Sequence, residues 1–73
     1  MSEYITNEVN RLRTESGITQ EDFAAHVTVS RQTIIAIEKG HYTPSVLLAI
    51  KIAQFFKMPV EKIFKISYDK KRS

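Results

Sequence analysis

The sequence predicts a mostly α-helical single domain with a short two-stranded antiparallel sheet made by its two ends. Hydroxyl-bearing helix start signals precede several stretches of helically spaced apolar residues. Residues 2–5 and 64–68 have strand character instead, and the second segment alternates strictly between apolar and polar residues. Because none of the 73 residues is cysteine, helix packing or oligomerisation must hold so small a domain together.

The domain is expected to include all of residues 1–73, with a core at about 6–64 and a basic, frayed end at 70–73. The first predicted helix begins at Asn7 and ends at Gly17, a residue typical of helix C-termini. A second helix begins after Thr19, because its hydroxyl and the carboxylate of Asp22 have the spacing of a capping box.

The third predicted helix covers residues 31–38. Ser30 provides its N-terminal cap, and Gly40 ends it. Two helices joined by a three-residue turn therefore lie within residues 19–39. This arrangement is typical of a helix-turn-helix, although many small bundles contain such a pair.

The fourth predicted helix, Val46–Phe56, follows a Thr-Pro-Ser start signal. It is apolar nearly all round, which predicts the central buried helix. A fifth short helix begins at Pro59 and covers Val60–Phe64. The longest uninterrupted apolar run is Val46–Ile50, which is too short to cross a membrane.

The net charge of +3 does not by itself indicate nucleic-acid binding. Residues 65–73 contain four Lys or Arg and one Asp, whereas residues 1–64 contain seven residues of each sign. Only a basic patch on one face would therefore support binding to phosphates. The N-terminus has no signal-peptide pattern, so a cytoplasmic location is expected.

Residues that carry catalysis are not grouped anywhere in the sequence. It contains no Gly-rich phosphate loop, no HExxH pattern and no Ser/His/Asp arrangement. His41 has no second histidine or carboxylate at ligand spacing. We expect neither an enzyme nor a cofactor, metal or small-molecule effector site.

Several spaced segments agree in order with one known family. They are Ile18-Thr19-Gln20-Glu21-Asp22-Phe23-Ala24, Val29-Ser30-Arg31-Gln32-Thr33-Ile34, Ile37-Glu38-Lys39-Gly40 and Thr43-Pro44-Ser45. The chain resembles the Cro/CI-type (XRE) helix-turn-helix transcriptional regulators over about residues 6–64. The resemblance implies a five-helix, lambda-repressor-like DNA-binding domain. The length and strand-like ends are similar to the stand-alone small repressors of the family, such as the cytolysin-operon repressor type.

Three positions depart from the family pattern. Thr28 stands in the turn between the two helices, where the family usually has glycine. A β-branched residue at positive φ is costly, so the turn is expected to be either shaped differently or strained. Ile35 and Leu47 stand where the family usually has polar residues.

The resemblance implies that the third helix enters the major groove. Its N-terminal residues Arg31 and Gln32 are then expected to contact guanine and adenine edges. Ile35 and Ala36 lie one turn further on, and Ile35 is either a thymine-methyl contact or a half-buried core residue. Thr33 contacts DNA or bonds back to its own helix. The expected phosphate contacts are Thr19, Gln20, Ser30, Lys39, His41, Tyr42 and Thr43, with capping alone as the alternative for Thr19 and Ser30.

The resemblance also pairs Arg13 with Glu38, as an ion pair that orients the third helix. If both side chains are instead exposed, the pair contributes less than about 1 kcal/mol.

The function that follows is repression by a homodimer bound to a pseudo-palindromic double-stranded operator, controlled by concentration or by a regulatory partner protein. Tyr4 and Ile5 are expected to pair antiparallel with residues 65–68. The candidate dimer contacts are Leu47, Phe64, Ile66 and Tyr68. The alternative function is an antitoxin-like or anti-regulator module that binds another protein with the same fold.

Overall fold

Five helices and one two-stranded antiparallel sheet make up residues 2–68, the part of the chain that the computed structural model describes. The predicted charged end at 70–73 lies outside the described residues. The predicted fold class is confirmed. The elements are β1 (Glu3–Asn7), α1 (Val9–Glu15), α2 (Gln20–His26), α3 (Arg31–Glu38), α4 (Val46–Phe56), α5 (Val60–Ile63) and β2 (Phe64–Tyr68). No helix among residues 2–68 is long and apolar enough to cross a membrane.

Hydroxyl caps begin three of the helices, as their spacing predicts. At each start the side-chain oxygen accepts the backbone N–H three residues further on, which satisfies one of the free donors of the first helical turn. The pairs are Thr19 with Asp22 (3.0 Å), Ser30 with Thr33 (3.2 Å) and Ser45 with Leu48 (3.1 Å).

The first strand is longer than predicted, and the first helix begins later. Asn7 ends β1 instead of beginning the helix. Its side chain explains the difference, because Oδ1 accepts the Val9 N–H at 3.0 Å while Nδ2 donates to the Ile37 carbonyl at 2.9 Å. The predicted strand pairing is confirmed, with Ile5 opposite Ile66 in an antiparallel register.

A single apolar core lies between the helices. Phe23 of α2 is fully buried, and its ring centroid lies 5.1 Å from that of Phe55 and 5.3 Å from that of Phe56. Each fully buried large side chain contributes about 1.5–3 kcal/mol relative to exposure. The other fully buried large side chains are Val9, Val27, Ile34, Ile37, Ile52 and Ile63.

The expectation that α4 is the central buried helix is correct for one side of the helix and wrong for the other. Val46, Leu47 and Ile50 are 76%, 65% and 43% exposed, whereas Leu48 and Ile52 are buried. The domain has too few elements to surround an 11-residue helix, so one side of the N-terminal half of α4 has no cover.

The turn between α2 and α3 keeps a left-handed residue although the sequence has threonine there. Thr28 has φ +61°, so of the two expectations strain is correct and a different turn shape is wrong. Its hydroxyl accepts a hydrogen bond from Lys51 Nζ at 2.6 Å and donates to the Val27 carbonyl at 2.6 Å.

Replacing Thr28 by glycine is expected to raise the free energy of unfolding by about 1 kcal/mol. Glycine accepts this φ without the β-branched clash, and we expect this gain to exceed the loss of the two hydrogen bonds that the exposed Thr28 side chain makes with Lys51 and with the carbonyl of neighbouring Val27. Thr28→Val is the matched control, since it keeps the branch and removes the hydroxyl, and it should be less stable than the parent. Urea unfolding measures both. A Thr28→Gly variant less stable than the parent would contradict the strain argument.

Candidate nucleic-acid interface

The first turn of α3 presents two long polar side chains at the surface. Arg31 and Gln32 are exposed, while Ile34 and Ile37 of the same helix are fully buried. The Ser30 cap fixes where α3 begins, and thereby the direction in which residues 31 and 32 project. An exposed guanidinium and an exposed amide side by side are able to fork onto guanine and adenine edges in a major groove.

The next residues of α3 continue this surface less prominently. Thr33, Ile35 and Ala36 are half-buried. Ile35 lies outside the buried core and is not among the strongly exposed apolar side chains. The Thr33 hydroxyl lies 3.0 Å from the Ser30 hydroxyl, so it interacts with the cap of its own helix.

The residues proposed for phosphate contacts lie at the start of α2, in the turn before α3, and at the end of α3 with the loop that follows. After Gly40, at φ +79°, the His41 N–H bonds back to the Ala36 carbonyl at 2.9 Å and folds the following loop against α3. Six of these side chains are exposed, namely Thr19, Ser30, Lys39, His41, Tyr42 and Thr43. Gln20 differs, because it is half-buried and its amide donates to Glu38 Oε1 at 3.0 Å.

Positive and negative side chains are distributed unevenly along the chain, which the net charge alone does not show. Residues 23–60 contain Arg31, Lys39, Lys51 and Lys57 but only one acidic residue, Glu38. Because Glu38 is paired internally, the exposed charges of α3 and of the loop after it are the positive ones of Arg31 and Lys39, whereas the first turn of α2 exposes Glu21 and Asp22. Positive charge on α3 and its following loop attracts phosphates.

Glu38 is the point where three helices are connected. Arg13 of α1 donates from Nε to Glu38 Oε2 at 2.6 Å, and both side chains are nearly buried, at 11% and 5% exposure. Asn10 and Gln20 each donate to Oε1 at 3.0 Å. Arg13 also donates to the Ile18 carbonyl at 2.8 Å, so its guanidinium connects α1 both to α3 and to the residues before α2.

The pKa of Glu38 follows from these contacts. Burial would raise its pKa, but hydrogen bonds from Arg13, Asn10 and Gln20, together with the Arg13 charge, outweigh burial and lower the pKa below its ordinary value of 4.5. The carboxylate is therefore ionised in the folded protein at neutral pH, and the ionised form holds α3 in place.

Because of Glu38, the free energy of unfolding is expected to decrease as the pH is lowered. A carboxylate with a lowered folded-state pKa contributes fully above its unfolded value of about 4.5 and loses that contribution as pH falls through the folded-state pKa. Glu38→Gln should remove this part of the acid dependence, whereas Glu61→Gln, at an exposed position of α5, should retain it. Chemical unfolding at a series of pH values from 7 down to about 3 measures the difference. Parallel pH profiles for the two variants would contradict the assignment.

Sequence reasoning missed two asparagines that support this surface. Asn7 bridges the end of β1 to the end of α3, and Asn10 bonds Glu38. Asn7 carries a recognisable signal, because an asparagine two residues before a helical apolar pattern is a common N-terminal bridge. Asn10 has no such signal, since its partner lies 28 positions away in the chain.

Comparison with known proteins agrees with this geometry. The sequence profile of a helix-turn-helix family matches residues 9–63. An uncharacterized HTH-type transcriptional regulator of Methanocaldococcus jannaschii is 55% identical over 58 residues, which cover 80% of this chain and 88% of that protein. The transcriptional repressor RstR of the cryptic phage CTXphi from Vibrio cholerae is 29% identical over 58 residues, 80% of this chain and 52% of the repressor.

A solved structure shares the fold. A crystal structure of a protein from Bacteroides fragilis superposes with a TM-score of 0.74 at 18% sequence identity, covering 84% of this chain and 98% of that one. The profile match spans most of the chain and includes the capped pair α2 and α3. The chain therefore belongs to the helix-turn-helix family of Cro/CI (XRE) type.

Proposed function

We propose that this protein is a DNA-binding transcriptional regulator that represses by occupying a pseudo-palindromic operator as a homodimer. The observation that carries the proposal is the exposed pair Arg31 and Gln32 on the first turn of α3, a helix fixed from behind by the buried contact between Arg13 and Glu38. The names of the related regulators and of the phage repressor support the same function.

Two kinds of contact contribute to DNA binding, one to sequence specificity and the other to affinity. Base-edge contacts from Arg31 and Gln32, extended by Thr33, Ile35 and Ala36, discriminate between sequences. Phosphate contacts give affinity that depends on salt and carries no sequence information. In this proposal they come from Thr19, Gln20, Ser30, Lys39, His41, Tyr42 and Thr43.

Gln20 reaches a phosphate in one of two ways. Its amide is bonded to Glu38, so it must either exchange that bond or offer the backbone N–H at the start of α2. The backbone route leaves the Glu38 contacts intact and agrees with the positive end of a helix dipole. We therefore assign the phosphate contact at Gln20 to its backbone.

The homodimer requires a surface that the single chain leaves uncovered. The exposed apolar side chains of residues 2–68 include two groups that a partner is able to cover. One is the N-terminal half of α4, with Val46, Leu47 and Ile50, and the other is the hairpin, with Ile66 and Tyr68. Phe64 lies between the hairpin and the core and is half-buried, so it is able to contribute only an edge to a partner.

Selection of bound duplexes from a random pool at two salt concentrations tests the proposed function. Enrichment of a sequence with two-fold symmetry, lost in part at the higher salt, is the expected result. Retention without enrichment would show phosphate binding alone. No retention at low salt would overturn the proposal and favour a protein-binding module with the same fold.

A further inference from the structure

The hairpin of β1 and β2 has two edges with different surroundings. The β1 edge runs beside the C-terminal end of α3, where Asn7 bonds the Ile37 carbonyl and where Tyr4 and Lys39 line one open cleft. On the β2 edge the carbonyl of Val60 in α5 bonds the Phe64 N–H, but Ile66 makes no backbone hydrogen bond away from β1 within residues 2–68. An unpaired strand edge is a template for another strand.

The direction of each backbone group on β2 follows from the ladder. The Glu8 N–H donates to the Ile63 carbonyl at 3.0 Å, which continues the antiparallel register and marks one hydrogen-bonded pair. Hydrogen-bonded and non-hydrogen-bonded pairs alternate along such a ladder. The backbone groups of Lys65 and Ser67 therefore point toward β1. Those that point outward belong to Phe64, Ile66 and Tyr68, and the Phe64 N–H is already bonded to the Val60 carbonyl.

We propose that β2 pairs with β2 of a second copy, antiparallel about a two-fold axis through Ile66, so that two hairpins form one continuous sheet. The inference rests on the proposed homodimer and names its interface. In this register Ile66 lies opposite its own copy and Tyr68 lies opposite the partner's Phe64. About four inter-chain hydrogen bonds result, two between the Ile66 residues and one from each Tyr68 N–H to the facing Phe64 carbonyl.

Side-chain chemistry fits the same register. On one face of the joined sheet, Ile66 meets Ile66 of the partner subunit, and Tyr68 meets the partner's Phe64. Aliphatic and aromatic cross-strand pairs of this kind stabilise sheets. In the single chain Ile66 is 59% exposed and Tyr68 is 50% exposed, so the pairing covers side chains that the domain itself leaves in water.

The charges on the other face select against one neighbouring register. Lys65 lies opposite the partner's Ser67 when the axis passes through Ile66, so the two lysines do not face each other. Moving the axis by one residue to Lys65 would oppose the two lysines directly in a non-hydrogen-bonded pair, where facing side chains lie closest, although the backbone bonds would still come from Phe64 and Ile66. Self-pairing about Ile66 avoids this like-charge contact and makes the contact isologous.

Sedimentation equilibrium of charge variants, without DNA, tests the register. Ser67→Lys should raise the dimer dissociation constant about tenfold, because it places a second lysine opposite the partner's Lys65 on each side of the two-fold axis. Adding Lys65→Glu to Ser67→Lys should return the constant to the parent value or below it, since both pairs become attractive. Lys62→Glu, at an exposed position of α5, is the charge control and should leave the dimer dissociation constant unchanged. A parent chain that is monomeric at tens of micromolar, or a Ser67→Lys dimer as tight as the parent's, would overturn the pairing.

Proline substitutions test the edge itself. Ile66→Pro removes an N–H that points away from β1, so the variant should fold with near-parent helicity and sediment as a monomer. Ser67→Pro removes an N–H of the β1 ladder and should instead lower thermal stability. If Ile66→Pro is dimeric and still binds the selected duplex, the sheet is overturned while repression stands, and Leu47 of α4 becomes the interface to test. If every variant self-associates as inferred but no duplex is retained, the proposed function fails and the sheet remains.

Discussion

Replacing Arg13 by methionine is expected to lower the free energy of unfolding by about 3–5 kcal/mol. The change leaves the nearly buried Glu38 carboxylate without its cationic partner, and removing one member of a buried pair costs this much. A 73-residue domain without disulfides has little stability to lose, so the variant should be largely unfolded at 37 °C. Differential scanning calorimetry and urea unfolding measure the loss.

Arg11 offers a matched control on the same helix. It pairs with Glu8 and Glu15, but these side chains are 42–61% exposed, so Arg11→Met should cost less than about 1 kcal/mol. The double variant Arg13→Met with Glu38→Leu should recover much of the lost stability, because it removes both buried charges together. Equal melting of the Arg13 and Arg11 variants would show that the Glu38 contact does not stabilise α3.

Arg31→Ala is expected to weaken binding to the selected operator about 5- to 150-fold, which corresponds to the loss of one bidentate base contact. Gln32→Ala should act similarly at a different base pair. Neither change touches a buried group, so the melting temperature should stay within about 2 °C of the parent. Fluorescence anisotropy with operator and random duplexes at one salt concentration measures the ratio.

Two comparisons sharpen this test. Lys39→Ala should weaken binding to operator and random DNA by the same factor and reduce the salt slope by about one. Lys57→Ala, at the exposed C-terminal cap of α4, is the matched charge control. If Arg31→Ala lowers operator and random binding equally, residue 31 contacts phosphate and α3 reads sequence through other side chains.

Local signals in the sequence predict much of the fold. The hydroxyl caps at Thr19, Ser30 and Ser45 and the alternation of residues 64–68 each depend on neighbours within a few positions, so spacing alone was sufficient to place the elements. The cover of α4 was not predictable in this way. Apolar content shows that a helix prefers burial but not how many other elements are available to surround it.

The candidate site also has one part that local sequence patterns predict and one part that depends on long-range contacts. The exposure of Gln32 follows from the helical phase of Ile34 and Ile37, which a sequence displays, whereas Arg31 lies at the edge of that buried face and is exposed at the first position of the helix. The convergence of Asn10 and Gln20 on Glu38 joins residues 28 and 18 positions apart. Each of these amides looks like an ordinary surface residue when only its own helix is considered, because long-range hydrogen bonds depend on how helices are placed against each other.

The contacts of Glu38 distinguish the residues that orient α3 from the exposed residues of α3 that are proposed to contact DNA. Within residues 2–68, every donor to this carboxylate comes from α1 or from the first residue of α2, and none comes from residues 31–36. If α3 reads DNA as proposed, the exposed positions 31 and 32 are therefore expected to be exchangeable in combination without altering the contacts that orient α3. Libraries randomised at these positions should contain many folded members that bind new operators. Related regulators are then able to diverge in operator sequence by substitutions at the same few positions.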